Sequence, residues 1–316
     1  MGGRADVGID SNEETHSTRN HIHVPLEKDL SSTNFEDILD VVTRGYVKNC
    51  GPLNALCVEA NFYQLLSQEY VKHLGDYLLH RTASRRSAVA TQQQEQTLDD
   101  NGGCIPLISQ DTVILDIGAG DGVLMHCLRD YMEREVKGVH SKNSTKISCV
   151  MPKMVAIDDM SWRMQIKGPV EKFSVEEALK KYAAPFVHTA TNDVDSFEID
   201  PNNRRPQVII ICSWMPMGQD WTALFRNAEV DEYILIGEAD DGTCGDNWLT
   251  WGNQSFKDKE TVDERNDDNT TNASVTPPYI VDRYKRRDMD TLTKFQFSSF
   301  DLKVSKSGKT VSFRKR

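Results

Sequence analysis

The sequence predicts a doubly wound α/β fold: a mainly parallel, seven-stranded sheet with a C-terminal antiparallel hairpin, preceded by N-terminal helices. Three observations carry this expectation. Short β-branched runs alternate with stretches of helical periodicity, a glycine-rich turn joins the first run to a helix, and two strand-like runs flank Ser307-Gly308 near the end.

Taken in order, residues 1–34 are polar, without apolar periodicity, and read as a disordered leader. Residues 35–83 read as an N-terminal helical segment. Ser31-Ser32-Thr33-Asn34 is a helix start, and Phe35, Ile38, Leu39 and Val42 recur at helical spacing until Gly51-Pro52. A second helix is expected from Asn54 to His80, with Leu56, Ala60, Tyr63, Leu66, Tyr70, His73, Leu74 and Tyr77 on one stripe. Residues 84–104, containing Gln92-Gln93-Gln94 and Asn101-Gly102-Gly103, read as a mobile linker.

The α/β domain is expected over residues 105–316. Its strands are Thr112–Ile117, Lys153–Ile157, Phe186–Thr189, Gln207–Cys212 and Tyr233–Ile236, short apolar runs suited to burial in a parallel sheet. Helices are expected at Gly122–Val136, Val175–Tyr182 and Trp221–Asn227, and the closing hairpin pairs Lys294–Leu302 with Thr310–Arg314. Two polar insertions interrupt the domain, at residues 140–145 and 257–276, the second a disordered, acidic stretch.

Composition narrows the function. No apolar run approaches the roughly 18 residues of a membrane span, and residues 1–20 lack the apolar centre of a signal peptide, so cytoplasm or nucleus is the expected address. The seven cysteines form no Cys-x-x-Cys pair and read as reduced thiols; no metal site is expected. Net charge is −11, but Tyr279 to Arg316 carries +7, leaving −18 on the remainder. The acidic body argues against nucleic-acid binding, while the basic rim at Arg283, Lys285, Arg286 and Arg287 leaves room for a local anionic partner.

The strongest signal is the turn Asp116-Ile117-Gly118-Ala119-Gly120-Asp121-Gly122. Glycines there let the backbone turn sharply and approach a ligand, ahead of a helix whose first amides point outward. The dinucleotide fingerprint would need a third glycine where Val123 stands. Asp116 at the strand end would repel a pyrophosphate but pair with an ammonium, which favours a cofactor whose near end is an amino acid.

The run Val113 to Gly122 resembles the first motif of class I S-adenosylmethionine-dependent methyltransferases, and a looser similarity extends over residues 111–316. The resemblance implies a Rossmann-like fold and S-adenosylmethionine as cofactor. It implies that Asp116, Gly118, Ala119, Gly120 and Gly122 surround the methionine end. It further implies that Asp158 holds the ribose hydroxyls, with Asp159 as the alternative. Asp193, in competition with Asp195, would face the adenine amino group.

On the acceptor side, the resemblance puts substrate-facing residues after the fourth strand, where Cys212-Ser213-Trp214-Met215-Pro216-Met217 stands. Enzymes that methylate nucleic-acid amino groups have Asn or Asp, two prolines and an aromatic there, so that acceptor is not expected. The glutamate that precedes the Trp in arginine methyltransferases is Ser213 here. Ser213, Trp214, Glu238 and Asp240 are the candidate catalytic residues, the two acids as bases; His188 reads as a core histidine. The acceptor is an unidentified small molecule or protein. A non-catalytic scaffold that holds a partner and an NAD(P)-dependent oxidoreductase are the alternatives.

Overall fold

The computed structural model describes residues 36, 65–94, 112–142, 151–162, 165–183, 206–240, 242–257, 276–296 and 308–316 of the chain. In chain order the elements are α1 (Gln68–Gln94), β1 (Thr112–Ile117), α2 (Val123–Lys142), β2 (Lys153–Asp158), β3 (Val170–Lys172) and α3 (Val175–Tyr182). They continue with β4 (Gln207–Ser213), α4 (Thr222–Asn227), β5 (Glu232–Glu238), α5 (Pro278–Val281), β6 (Tyr284–Asp288), α6 (Asp290–Thr293) and β7 (Gly308–Lys315).

The strands form one seven-stranded mixed sheet in the order β3-β2-β1-β4-β5-β7-β6. β3, β2, β1, β4 and β5 run parallel, and β7 lies antiparallel between β5 and β6. β1, β4 and β5 are buried along their whole lengths, which is why they read as unbroken apolar runs. Alternation splits the core in two. Val113, Leu115, Ile210, Leu235 and Phe313 face α3 and α4, while Ile114, Ile209, Ile211 and Ile234 face α1, α2 and α6.

Local sequence explains several boundaries. Ser67 accepts the Tyr70 amide at 3.1 Å and starts α1, so Leu65 to Ser67 precede the helix although Leu66 fits its stripe. α1 continues to Gln94, into the stretch expected as linker, because Gly75 to Gln94 holds no further glycine and no proline, and is rich in Ala, Arg and Gln. Where α1 crosses α2, Gly75 leaves room for Tyr131: a Cβ at 75 would sit 2.4 Å from the ring. The Tyr131 hydroxyl donates to Asp76 at 2.6 Å. α3 opens with a full capping box, Ser174 with Glu177, and places Lys180 and Lys181 in its last turn.

Two strands differ from expectation. The strand beside β2 is Val170–Lys172, too short and polar to stand out in sequence. The expected strand Phe186–Thr189, with His188, Asn192, Asp193 and Asp195, lies outside the described residues. The outer partner of β7 is Tyr284–Asp288, not Lys294–Leu302: Lys294 to Gln296 form a turn after α6, and residues 297–302 lie outside the described residues. An edge strand buries little, and of β6 only Tyr284 is buried, so its charged sequence carries no apolar alternation. The leader, the first expected helix apart from Glu36, and the insertions at 143–145 and 258–275 also lie outside the described residues.

Candidate functional site

The turn between β1 and α2 depends on its glycines. Gly118 and Gly122 have φ of 70° and 78°, a region that disfavours any Cβ. Packing forbids one as well. A Cβ on Gly118 would lie 2.9 Å from the Trp221 ring, and one on Gly122 would lie 2.6 Å from Val170 Cγ2 and 3.2 Å from the Gly168 carbonyl. The turn is tied to β2 through the Ala119 amide on Ile157 O at 2.9 Å and the Gly120 amide on Asp158 Oδ2 at 3.0 Å. Its far side is held by Lys167 and Gly168, whose amides both donate to Asp121 O at 2.9 Å.

Strand register then assembles the polar groups. Asp116 pairs in register with Ala156 of β2 and Ile211 of β4, and Ser213 pairs with Ile236 of β5. Side chains alternate, so Asp116, Asp158, Ser213 and Glu238 share the α1–α2 face at the carboxyl ends of four neighbouring strands. This is the edge where ligands of open α/β sheets bind.

A cleft opens there, with Leu66, Ala119, Val123 and Leu124 as apolar walls and Asp116, Asp121 and Ser213 as polar ones. The cleft is a shallow opening: the space among these residues, about 240 Å³, runs out into open solvent. Asp116 is 1% exposed, and neither carboxyl oxygen has a hydrogen-bond partner. Burial, and after it the neighbouring Asp121 and Asp158, push its pKa up to about 8.

Asp158 is partly exposed and already engaged. Besides the Gly120 amide, it accepts the Met160 amide at 2.7 Å on its other oxygen. Asp159 points outward and accepts from Ser161 N at 2.8 Å, and hydrogen bonds from Ser161 hold its carboxyl below its ordinary pKa.

The acceptor-side residues divide. Ser213 is 4% exposed and lines the cleft with Asp116. Trp214 leaves the strand with φ 56°, its amide donating to Ile236 O at 2.8 Å, and packs partly buried against the α3–α4 core. Glu238 is 3% exposed and accepts from the Thr243 hydroxyl at 2.6 Å. Asp240 is committed elsewhere: it takes Arg286 through both oxygens at 2.6 and 3.1 Å and Lys309 at 2.7 Å. Burial raises its pKa, but the bonds from Arg286 and Lys309 outweigh that and hold it below the ordinary value. It is therefore a poor proton acceptor and instead anchors the loop after β5 to β6 and β7. Of the two tryptophans in that loop, Trp251 is 1% exposed and donates to Cys244 O at 2.6 Å, a core anchor.

The structure thus brings together Asp116, Ala119 and Ser213, with Asp158 bound to the same turn and Glu238 on the same edge. Leu66, Asp121 and Trp221 escaped the sequence reading as site neighbours. Asp121 lies within the glycine turn that the sequence singles out, whereas nothing local marks Leu66 or Trp221. Among the described residues no group of three or more His, Cys, Asp or Glu is placed to hold a metal, and no helix is long and apolar enough to cross a membrane. No family model matches the chain, and no curated protein matches it.

Proposed function

We propose that the chain is a class I, Rossmann-like S-adenosylmethionine-dependent methyltransferase. The observation that carries this reading is Asp116: a buried carboxyl without a hydrogen-bond partner, lining a cleft beside a glycine turn, suits a ligand that brings a cation. Helices on both faces of the sheet, and an antiparallel β7 inserted between β5 and β6, also support a doubly wound fold of this class.

The residues fit the cofactor chemically. Asp116 would receive the methionine ammonium, the turn from Gly118 to Gly122 would pass close to that end, and Asp158 would accept the ribose hydroxyls at its partly exposed carboxylate. The cofactor supplies an electrophilic methyl group. Methyl transfer then needs chiefly alignment of the acceptor, which Ser213 and Trp214 at the end of β4 would provide. Where the acceptor carries a proton, Glu238 is the carboxylate to take it, and Asp240 is not. The acceptor is a small molecule or a protein.

A non-catalytic scaffold is the second reading, favoured by the engagement of Asp240 with Arg286 and Lys309. An oxidoreductase is disfavoured, because the carboxylates of Asp121 and Asp158 beside the turn would oppose a pyrophosphate, and Asp116 offers it no cation. Calorimetric titration with S-adenosylmethionine, S-adenosylhomocysteine, NAD and NADP tests the cofactor. Binding of the first two is expected; binding of NAD or NADP alone would overturn the reading. Transfer of a labelled methyl group to a fractionated extract then separates enzyme from scaffold.

A further inference from the structure

Asp116 is buried among groups that cannot neutralise it. Facing it are the carboxylates of Asp121 from the turn and Asp158 from β2, with the Ser213 hydroxyl from β4, while the Cys212 thiol lies on the opposite face of the sheet. α2 contributes Val123 and Leu124, and the segment before α1 contributes Leu66. No lysine, arginine or histidine among the described residues lines the cleft. The nearby His126 points to solvent and lies 3.6 Å from Asp130.

From this geometry we infer that Asp116 selects the ligand of the cleft by exchange: it admits a cationic end only by giving up its own proton. The inference rests on the cofactor reading above and adds to it a specificity rule. A buried charged carboxylate that receives no hydrogen bond is costly, and two like charges beside it raise that cost. The empty site therefore keeps the proton, consistent with a pKa pushed up to about 8. When an ammonium enters, the O–H bond of Asp116 breaks, its electron pair stays on the carboxylate, and the proton leaves to solvent. The cleft then holds one cation against one new anion. A neutral ligand end offers nothing in exchange, so the carboxyl stays protonated and the ligand gains no ion pair.

The test is calorimetry of the full chain with S-adenosylhomocysteine, in phosphate and in Tris buffer, between pH 6.5 and 8. Enthalpies in the two buffers give the number of protons released. About one proton released near pH 7 is expected, with affinity rising close to tenfold per pH unit below pH 8. Methylthioadenosine, which lacks the ammonium, is expected to bind more weakly, with no release and no slope. Asp116→Asn should lose both release and slope. Asp121→Asn, which keeps Asp116 but removes a neighbouring charge, should move the curve to lower pH. S-adenosylhomocysteine binding without proton release overturns the inference and leaves the cofactor reading standing. Release that persists in Asp116→Asn overturns it too, by assigning the proton to another group. No binding at any pH removes the cofactor reading and the inference together.

Discussion

The carboxylate of Asp158 accepts the amide of Gly120 at 3.0 Å, so the acid at the end of β2 holds the glycine turn at the end of β1. Its other oxygen accepts Met160 N, whose φ of 59° is left-handed. One side chain thus organises two turns at the proposed ligand edge.

Asp158→Ala should therefore act twice. Loss of two hydrogen bonds to a charged acceptor, roughly 1.5–3 kcal/mol net each where buried and less at this partly exposed carboxylate, should lower the melting temperature of the free protein. S-adenosylhomocysteine affinity should fall at least ~10-fold, since ~1.4 kcal/mol is one decade. Asp159→Ala should change neither by much, because its bonds are local and exposed. Melting curves and calorimetry on the two variants check the pair; a larger loss for Asp159→Ala would contradict the register.

Gly120 has φ 57°, so a β-branched residue there is strained. Gly120→Val should abolish S-adenosylhomocysteine binding. Gly122→Ala should destabilise the protein by about 2 kcal/mol or more, because the Gly168 backbone cannot yield as a side chain would. Undiminished binding by Gly120→Val would move the ligand elsewhere.

Asp116 also links folding to pH. Its folded pKa, pushed up to about 8, lies above the unfolded value near 3.9, so the native state binds the proton more tightly. Its contribution is complete below the unfolded value and is lost as pH rises through the folded one. The free protein should lose stability between about pH 4 and 8 through this group, and Asp116→Asn should flatten that part of the melting-temperature profile. An unchanged slope would show that the carboxyl is already ionised.

Asp240 has the opposite sign. Its folded pKa is depressed by Arg286 and Lys309, so its contribution is complete above the unfolded value near 3.9 and is lost as pH falls through the lower folded one. Asp240→Asn should cost about 1 kcal/mol at pH 7, little of it remaining in acid. Cofactor affinity should hold, because the ion pairs bind the loop to β6 and β7; a collapse of affinity would place Asp240 in the ligand site.

Glu232 is the control at the other end of β5. It is fully buried, accepts from Arg81 at 2.7 Å and Arg314 at 3.3 Å, and also contacts Tyr77 and Ser312. Glu232→Ala leaves two arginines without their carboxylate and should cost about 3–5 kcal/mol in denaturant unfolding. Glu232→Gln should lose less, and its affinity for S-adenosylhomocysteine should match the parent.

How much was legible in the sequence follows from how local each feature is. β1, β2, β4 and β5 were readable because strands buried on both faces need uninterrupted apolar residues, and α3 because Ser174 and Glu177 cap it within one turn. The glycine turn and Asp116 were legible for the same reason: backbone geometry at one strand end restricts side chains over a few positions. β3 and β6 were not, since edge strands gain their hydrogen bonds from β2 and β7 rather than from a pattern of their own. Nor could sequence show that Asp240 is spent on Arg286 and Lys309, 46 and 69 residues away. The isolation of Asp116 was equally hidden, because it depends on what the rest of the fold fails to bring near. Local sequence determined where the chain turns and which faces are apolar; only the packing of distant segments decided which charges are paired, because pairing energy depends on separation in space and not along the chain.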